Sequence, residues 1–254
     1  MLWYKAWLDT RWRFVIPLVV LFVNVWGLIL EYPPVGGVLH SLQVQPDALI
    51  RSGALGRAIL ESIDAERTYR GYIWYQWFRN NLSQLAILFA VLLASGNLLS
   101  GGAGTLFTLS LPRSRTAWLT TRAILGLAQS LILALVPSMA IVVLSPAIGQ
   151  QYALTDAMVH AVCAFIVSAM FFGLAFLLST IYADTWRPLL MAGGVAIVIS
   201  VIESQLAVNG PFRVMSASSY FSDGAIPWLG LVLSAVITAA LLYGAALNVA
   251  RHDF

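Results

Sequence analysis

Six runs of this chain are long and nearly free of charge: residues 14–30, 82–99, 123–144, 157–182, 189–207 and 228–249. Among them only the fifth holds an Asp, Glu, Lys or Arg, namely Glu203. Seventeen residues of helix rise about 26 Å, close to the ~30 Å hydrocarbon core of a bilayer. Inside that core every backbone N–H and C=O must be bonded within its own segment, which leaves helices for runs of this kind. With 10% charged residues against about 25% in soluble domains, the chain lacks the charge to clothe a water-facing surface of 254 residues. The expected architecture is all-α, a single polytopic membrane domain over residues 1–254 with six spans. A signal-peptide reading of 14–30 is set aside, because no small-x-small cleavage site follows it in "LEYPPVGG".

The Lys and Arg count sets the expected orientation. With the N-terminus inside, the cytoplasmic side collects Lys5, Arg11, Arg13, Arg113, Arg115, Arg122, Arg187 and Arg251, while the short outer loops hold only Arg213. The remaining five arginines fall in the 31–81 connection beside five acids. Both termini are then cytoplasmic. Residues 1–13, with Trp3 and Trp7 four apart and Lys5, Asp9 and Arg13 on other faces, read as a short interfacial helix. An aromatic belt on an extension of the first span reads equally well. The 31–81 connection opens on a turn marked by Pro33, Pro34, Gly36 and Gly37. It carries an amphipathic helical segment and ends in Tyr72, Trp74, Tyr75 and Trp77, an anchoring girdle at the outer interface.

The chemistry of soluble enzymes is missing from the pattern. There is no phosphate loop of the GxxxxGK[ST] type, no HExxH and no GxSxG elbow. His40, His160 and His252 are far apart and expected at solvated or interfacial positions. Cys163 is alone, so no internal disulfide can form. A net charge of +3 with scattered arginines gives no argument for nucleic acid, which is not expected as a partner. Glu203 lies near the outer end of the fifth span, within reach of the interface. Pro137 can kink the third span. The small pairs Gly126/Ser130 and Ala169/Gly173 are expected to let helices approach closely.

One segment fits neither span nor loop: "TLFTLSLPRSRTAW", residues 105–118, on the cytoplasmic side. "SGGAG" breaks the second span before it. Residues 105–111 have room for about two helical turns, with Leu106 and Leu109 on one face. Pro112 ends them, because its ring has no N–H and pushes the preceding residue out of the helical region. Ser114 can cap the next helix. An apolar ridge flanked by Arg113 and Arg115 is either a docking surface or an interfacial turn whose arginines meet lipid phosphate.

The string "GTLFTLSLPRSRTAW…R" resembles the "GT…(F/L)LSLPVSR…(L)…R" signature of permease subunits of the type 2 ATP-binding-cassette (ABC) transporter family. "LLSTIYADTWRPLL" (177–190) and the closing "ARHDF" are similar to other parts of that family's pattern, as are six spans and about 250 residues. Gly104, Thr105, Leu109, Ser110, Leu111, Pro112, Ser114 and Arg115 match. Arg113 replaces a small apolar residue, and the acidic residue usual before the GT is absent. The resemblance implies a permease that pairs with a second permease copy, identical or not, in a bacterial inner membrane. It also implies two ATPase subunits, which hold ATP and Mg and grip a coupling segment at 100–116 through Thr105, Leu106, Leu109, Ser110, Leu111, Pro112, Arg113 and Arg115. Spans two and five would line the route, with Ser95, Asn97, Ser200 and Glu203 along it, for export of a hydrophobic or amphiphilic substrate. The chain itself is then no enzyme and binds no cofactor. The alternative is a membrane anchor or assembly factor that recruits a cytosolic partner and moves nothing.

Overall fold

The computed structural model describes residues 2–41, 63, 66–96, 115–182, 184–206 and 210–251, and among these it contains helices and no strand. They are α1 (Leu2–Ser41), α2 (Tyr69–Ala94), α3 (Arg115–Leu144), α4 (Leu154–Ile181), α5 (Trp186–Leu206), α6 (Pro211–Met215), α7 (Ser218–Asp223) and α8 (Trp228–Arg251). A 3₁₀ turn, Ser145–Ile148, closes α3. Six of these helices, α1 to α5 and α8, are long and apolar enough to cross a membrane. The chain is therefore read as an integral membrane protein.

The bundle is built around α4, which packs against α8, α2, α3, α5 and the short α6, while α1 lies on α3 and α2. Burial follows that order. In α2 and α4, 61% of the apolar window is buried, against 22% in α5 and 17% in α8, so the last two leave most of their surface uncovered by this chain. The core is aromatic, with Trp77, Phe78, Phe171, Phe172 and Phe176 fully buried. Where two helices approach most closely, small residues make room. A Cβ on Gly126 of α3 would sit 2.6 Å from the Phe172 ring of α4, and one on Gly173 of α4 would sit 3.2 Å from Leu241 Cβ of α8. Pro137 is accommodated inside α3.

Several expectations need correction. Residues 2–13 do not form a separate interfacial helix: α1 runs unbroken from Leu2 into the first span, and no Gly or Pro interrupts it before Pro17. Nor does the helix turn at Pro33–Pro34. It continues to Ser41: proline's fixed φ is compatible with helix, and the lost N–H bond and ring crowding weigh less than the backbone bonds a turn would forfeit beside a membrane. The second span starts at Tyr69, well before residue 82, and ends at Ala94, before the "SGGAG" break. Its first half was hidden by Arg70, Gln76, Arg79, Asn80 and Asn81, which lower the hydropathy of a stretch that is nonetheless helical. That half is unusual. Trp74–Leu82 forms a π-helix between α-helical turns, a rare form that marks functional segments more often than plain helix does. His160, expected near solvent, is fully buried.

Candidate functional site

The proposed coupling residues Thr105, Leu106, Leu109, Ser110, Leu111, Pro112 and Arg113 lie outside the described residues, as does Asn97. Arg115 is the first residue of α3. What the structure places are the two stems of that segment, and they meet at the end of the bundle where α1 begins, here called the proximal end. Ser95 leaves the helix in an extended conformation, φ −69° and ψ 128°. Its carbonyl accepts a hydrogen bond from Arg13 Nη1 of α1. Arg122 of α3 is buried beside Gly96, with Nη1 4.0 Å from Asp9 Oδ2. Gln129 of α3 donates to Thr10 Oγ1 of α1 at 2.9 Å. Ser179 of α4 directs its hydroxyl to Ala94 O at 3.5 Å and donates to Ala175 O at 2.8 Å. The end of α2 is thus hydrogen-bonded to α1 and α4, with Arg122 of α3 beside it, just where the chain enters residues 97–114.

Ser200 and Glu203, both expected along a substrate route, part company. Ser200 lines a groove of ≈ 350 Å³ between α2 and α5, where Gln84 is the other polar side chain and Ile87, Leu88, Ile197, Val201 and Phe212 supply apolar walls. Glu203 is buried. Its two carboxylate oxygens accept from the backbone N–H groups of Phe212 (2.9 Å) and Arg213 (2.7 Å). It therefore holds the first turn of α6, and both oxygens are already engaged.

A second cleft, ≈ 330 Å³, opens between α1 and the π-helical half of α2, and it is polar: Asn24, Glu31, Tyr72, Gln76 and Asn81 line it. Asn24 Oδ1 is buried without a partner. Sequence reasoning missed this cleft. Its one clue was Asn24, the only amide in the run 14–30.

At the distal end a connected cluster joins α2, α4, α6 and α7. Arg70 Nε donates to Asp156 Oδ2 at 2.6 Å, and the Tyr220 hydroxyl donates to Asp156 Oδ1 at 3.1 Å. Trp74 Nε1 and His160 Nδ1 both reach the Ser216 carbonyl, at 3.0 and 3.1 Å. A carbonyl can only accept, so His160 carries its proton on Nδ1 and Nε2 is left as an unpartnered buried acceptor. Trp74 stacks flat on Phe221 at 4.2 Å. Ala217, between α6 and α7, is held in the left-handed region at φ 47°. Burial pushes the Tyr152 phenol well up, with Asp156 adding to it. Burial first and the bond to Asp156 second raise Tyr220. Burial also raises Glu66, against the opposing hydrogen bond from Gln76 at 2.8 Å. Among the described residues no group of three or more His, Cys, Asp and Glu is placed to hold a metal ion.

Comparison with family models, with curated proteins and with solved structures finds no match to this chain.

Proposed function

We propose that this chain is the membrane-spanning permease subunit of an ATP-driven ABC exporter of a hydrophobic or amphiphilic substrate, worked by separate ATPase subunits gripping residues 105–115. The observation that carries the reading is the position of α2. This one helix walls the groove that holds Ser200, and it ends at Ser95, where the chain enters the segment containing "LSLPRSR". A displacement of that segment would reach α2 through Ser95, α1 through Arg13 and α3 through Arg122. For this to be coupling, ATP must favour one arrangement of α2 over another through contacts at the 105–115 ridge.

The two clefts beside α2 suit a molecule with two chemistries. The α2–α5 groove offers aliphatic walls to an alkyl portion, whose transfer from water is worth roughly 0.8 kcal/mol per CH₂. The α1–α2 cleft offers amides, a phenol and a carboxylate to a polar portion. ATP and Mg belong to the partner subunits, and a second permease copy completes the route.

The test begins with the neighbouring reading frames, where the reading requires a phosphate-loop ATPase, and co-expresses that ATPase with the full chain. Leu109→Asp and Pro112→Leu should each release the ATPase while leaving the melting temperature of the membrane part unchanged. Full retention of the ATPase by both variants refutes the reading. A complex that holds its ATPase, but whose hydrolysis answers to no amphiphile, is the anchor alternative.

A further inference from the structure

Two guanidinium groups converge on Gly96 at the proximal end. A Cβ on that residue would lie 2.5 Å from Arg122 Nη2 and 3.6 Å from Arg13 Nη1. Their charges are unevenly met. Arg13 spends a donor on the Ser95 carbonyl at the negative end of the α2 dipole. Arg122 is 8% exposed, yet the carboxylate that faces it among the described residues, Asp9, is 4.0 Å away at the outer limit of an ion pair, and its Nε has no hydrogen-bond partner. The buried Ser95 hydroxyl is also without a partner. A buried guanidinium with an open donor is costly unless an anion completes it. The adjoining segment cannot supply one from its side chains: residues 97–114 contain no Asp or Glu and add Arg113.

We propose that Arg122 and Arg13 bind the phosphate of an anionic membrane lipid at the proximal end of the bundle, entered beside Asp9. A guanidinium matches two phosphate oxygens at once. The Asp9 side chain is 48% exposed, so the site opens there. Depth selects a lipid over a free anion. Trp3, Tyr4 and Trp12 stand exposed on the same turns of α1, a pattern that marks the headgroup level, and basic pockets between spanning helices at that level hold anionic headgroups. Asp9, the carboxylate near the guanidinium pair among the described residues, competes with the phosphate for Arg122. The inference does not depend on the transport reading, since it requires only that the chain sits in a bilayer.

The full chain is reconstituted in phosphatidylcholine nanodiscs with and without phosphatidylglycerol, and both the melting temperature and the phosphatidylglycerol retained on extraction are measured. Phosphatidylglycerol should raise the melting temperature. Arg122→Gln should cut retention about tenfold, the size of one charged hydrogen bond. Arg11→Gln, which removes a charge from the exposed side of the same helix, should leave retention unchanged. Asp9→Asn, at a half-exposed position that tolerates the change, should increase it. The proposal is overturned if Arg122→Gln retains the lipid as the unaltered chain does, or if Arg11→Gln loses as much. It is also overturned if inorganic phosphate in phosphatidylcholine discs reproduces the stabilisation. Should Arg122→Gln fail to fold, unchanged or lower retention in Asp9→Asn overturns it.

Discussion

Arg70 and Asp156, 86 residues apart, meet at 2.6 Å and join the start of α2 to the start of α4. The other oxygen of Asp156 takes the Tyr220 hydroxyl, so one carboxylate also ties α7 to the bundle. The Asp156 side chain is 10% exposed while that of Arg70 is 49% exposed, so water screens the cation more than the anion. Asp156→Ala should therefore destabilise by about 2 kcal/mol, chiefly through the lost charged hydrogen bonds. Asp156→Asn, which still accepts from Tyr220, should cost less. Thermal melting of the purified chain checks the order, and equal melting of the two variants would deny Tyr220 any part.

Gly126 and Phe172 make the contact between α3 and α4 that leaves least room. Gly126→Ala gains about 1 kcal/mol of helix propensity. Against this, its Cβ would stand 2.6 Å from two ring carbons of a fully buried Phe172. The ring is itself stacked on Phe176, so relief requires the helices to part, at about 1–3 kcal/mol. The net effect should be a lower melting temperature. Phe172→Leu in the same chain should recover part of the loss, which a double-mutant cycle measures directly.

The six spans were legible because uncharged runs of about 20 residues have few other fates. The close-packing role of Gly126 and Gly173 was legible too, from their spacing with other small residues. What hydropathy could not reveal was the start of α2. Arg70, Gln76 and Arg79 are polar by type, yet partners met in the folded chain accommodate them: Asp156 for Arg70, Glu66 for Gln76, the rings of Trp74 and Tyr75 for Arg79. Pro33 and Pro34 looked like a turn because local rules weigh the lost N–H but not the backbone bonds a turn would forfeit beside a membrane. The partners of Glu203, the N–H groups of Phe212 and Arg213, come from backbone and leave no mark in side-chain pattern. The ridge at 105–111 rests on its motif alone, since it lies outside the described residues.

Glu66 carries a pH dependence whose sign can be worked out. Burial raises its carboxyl above the ordinary value of 4.5, so the folded chain binds that proton more tightly than the unfolded one. Its contribution to stability is fully present below the unfolded pKa and is lost as pH rises through the folded one. At neutral pH the buried charge is a net cost. Glu66→Gln keeps an oxygen to accept from Gln76 and removes the charge. It should raise the melting temperature at pH 7, and the gain should shrink as pH falls toward the carboxylate range. A gain that is constant with pH would mean that packing, not ionisation, is responsible.

Ser200 offers the most direct test of the route. It faces the ≈ 350 Å³ groove between α2 and α5, whose other walls are almost wholly aliphatic or aromatic. Ser200→Trp should occupy that space from the α5 side without touching the Arg13–Ser95 tie, which lies at the far end of α2. The ATPase should then remain bound and keep its basal rate, while stimulation by amphiphilic substrates is abolished. Ser200→Ala, which removes only a hydroxyl, should leave stimulation within about twofold, since a single neutral hydrogen bond is worth about 1 kcal/mol at most sites and less where the groove is open. Steric loss without polar loss would mean that shape, not hydrogen bonding, selects what enters. Unaltered stimulation in Ser200→Trp would place the route elsewhere, and the polar cleft at Asn24, Gln76 and Asn81 would be the next wall to fill.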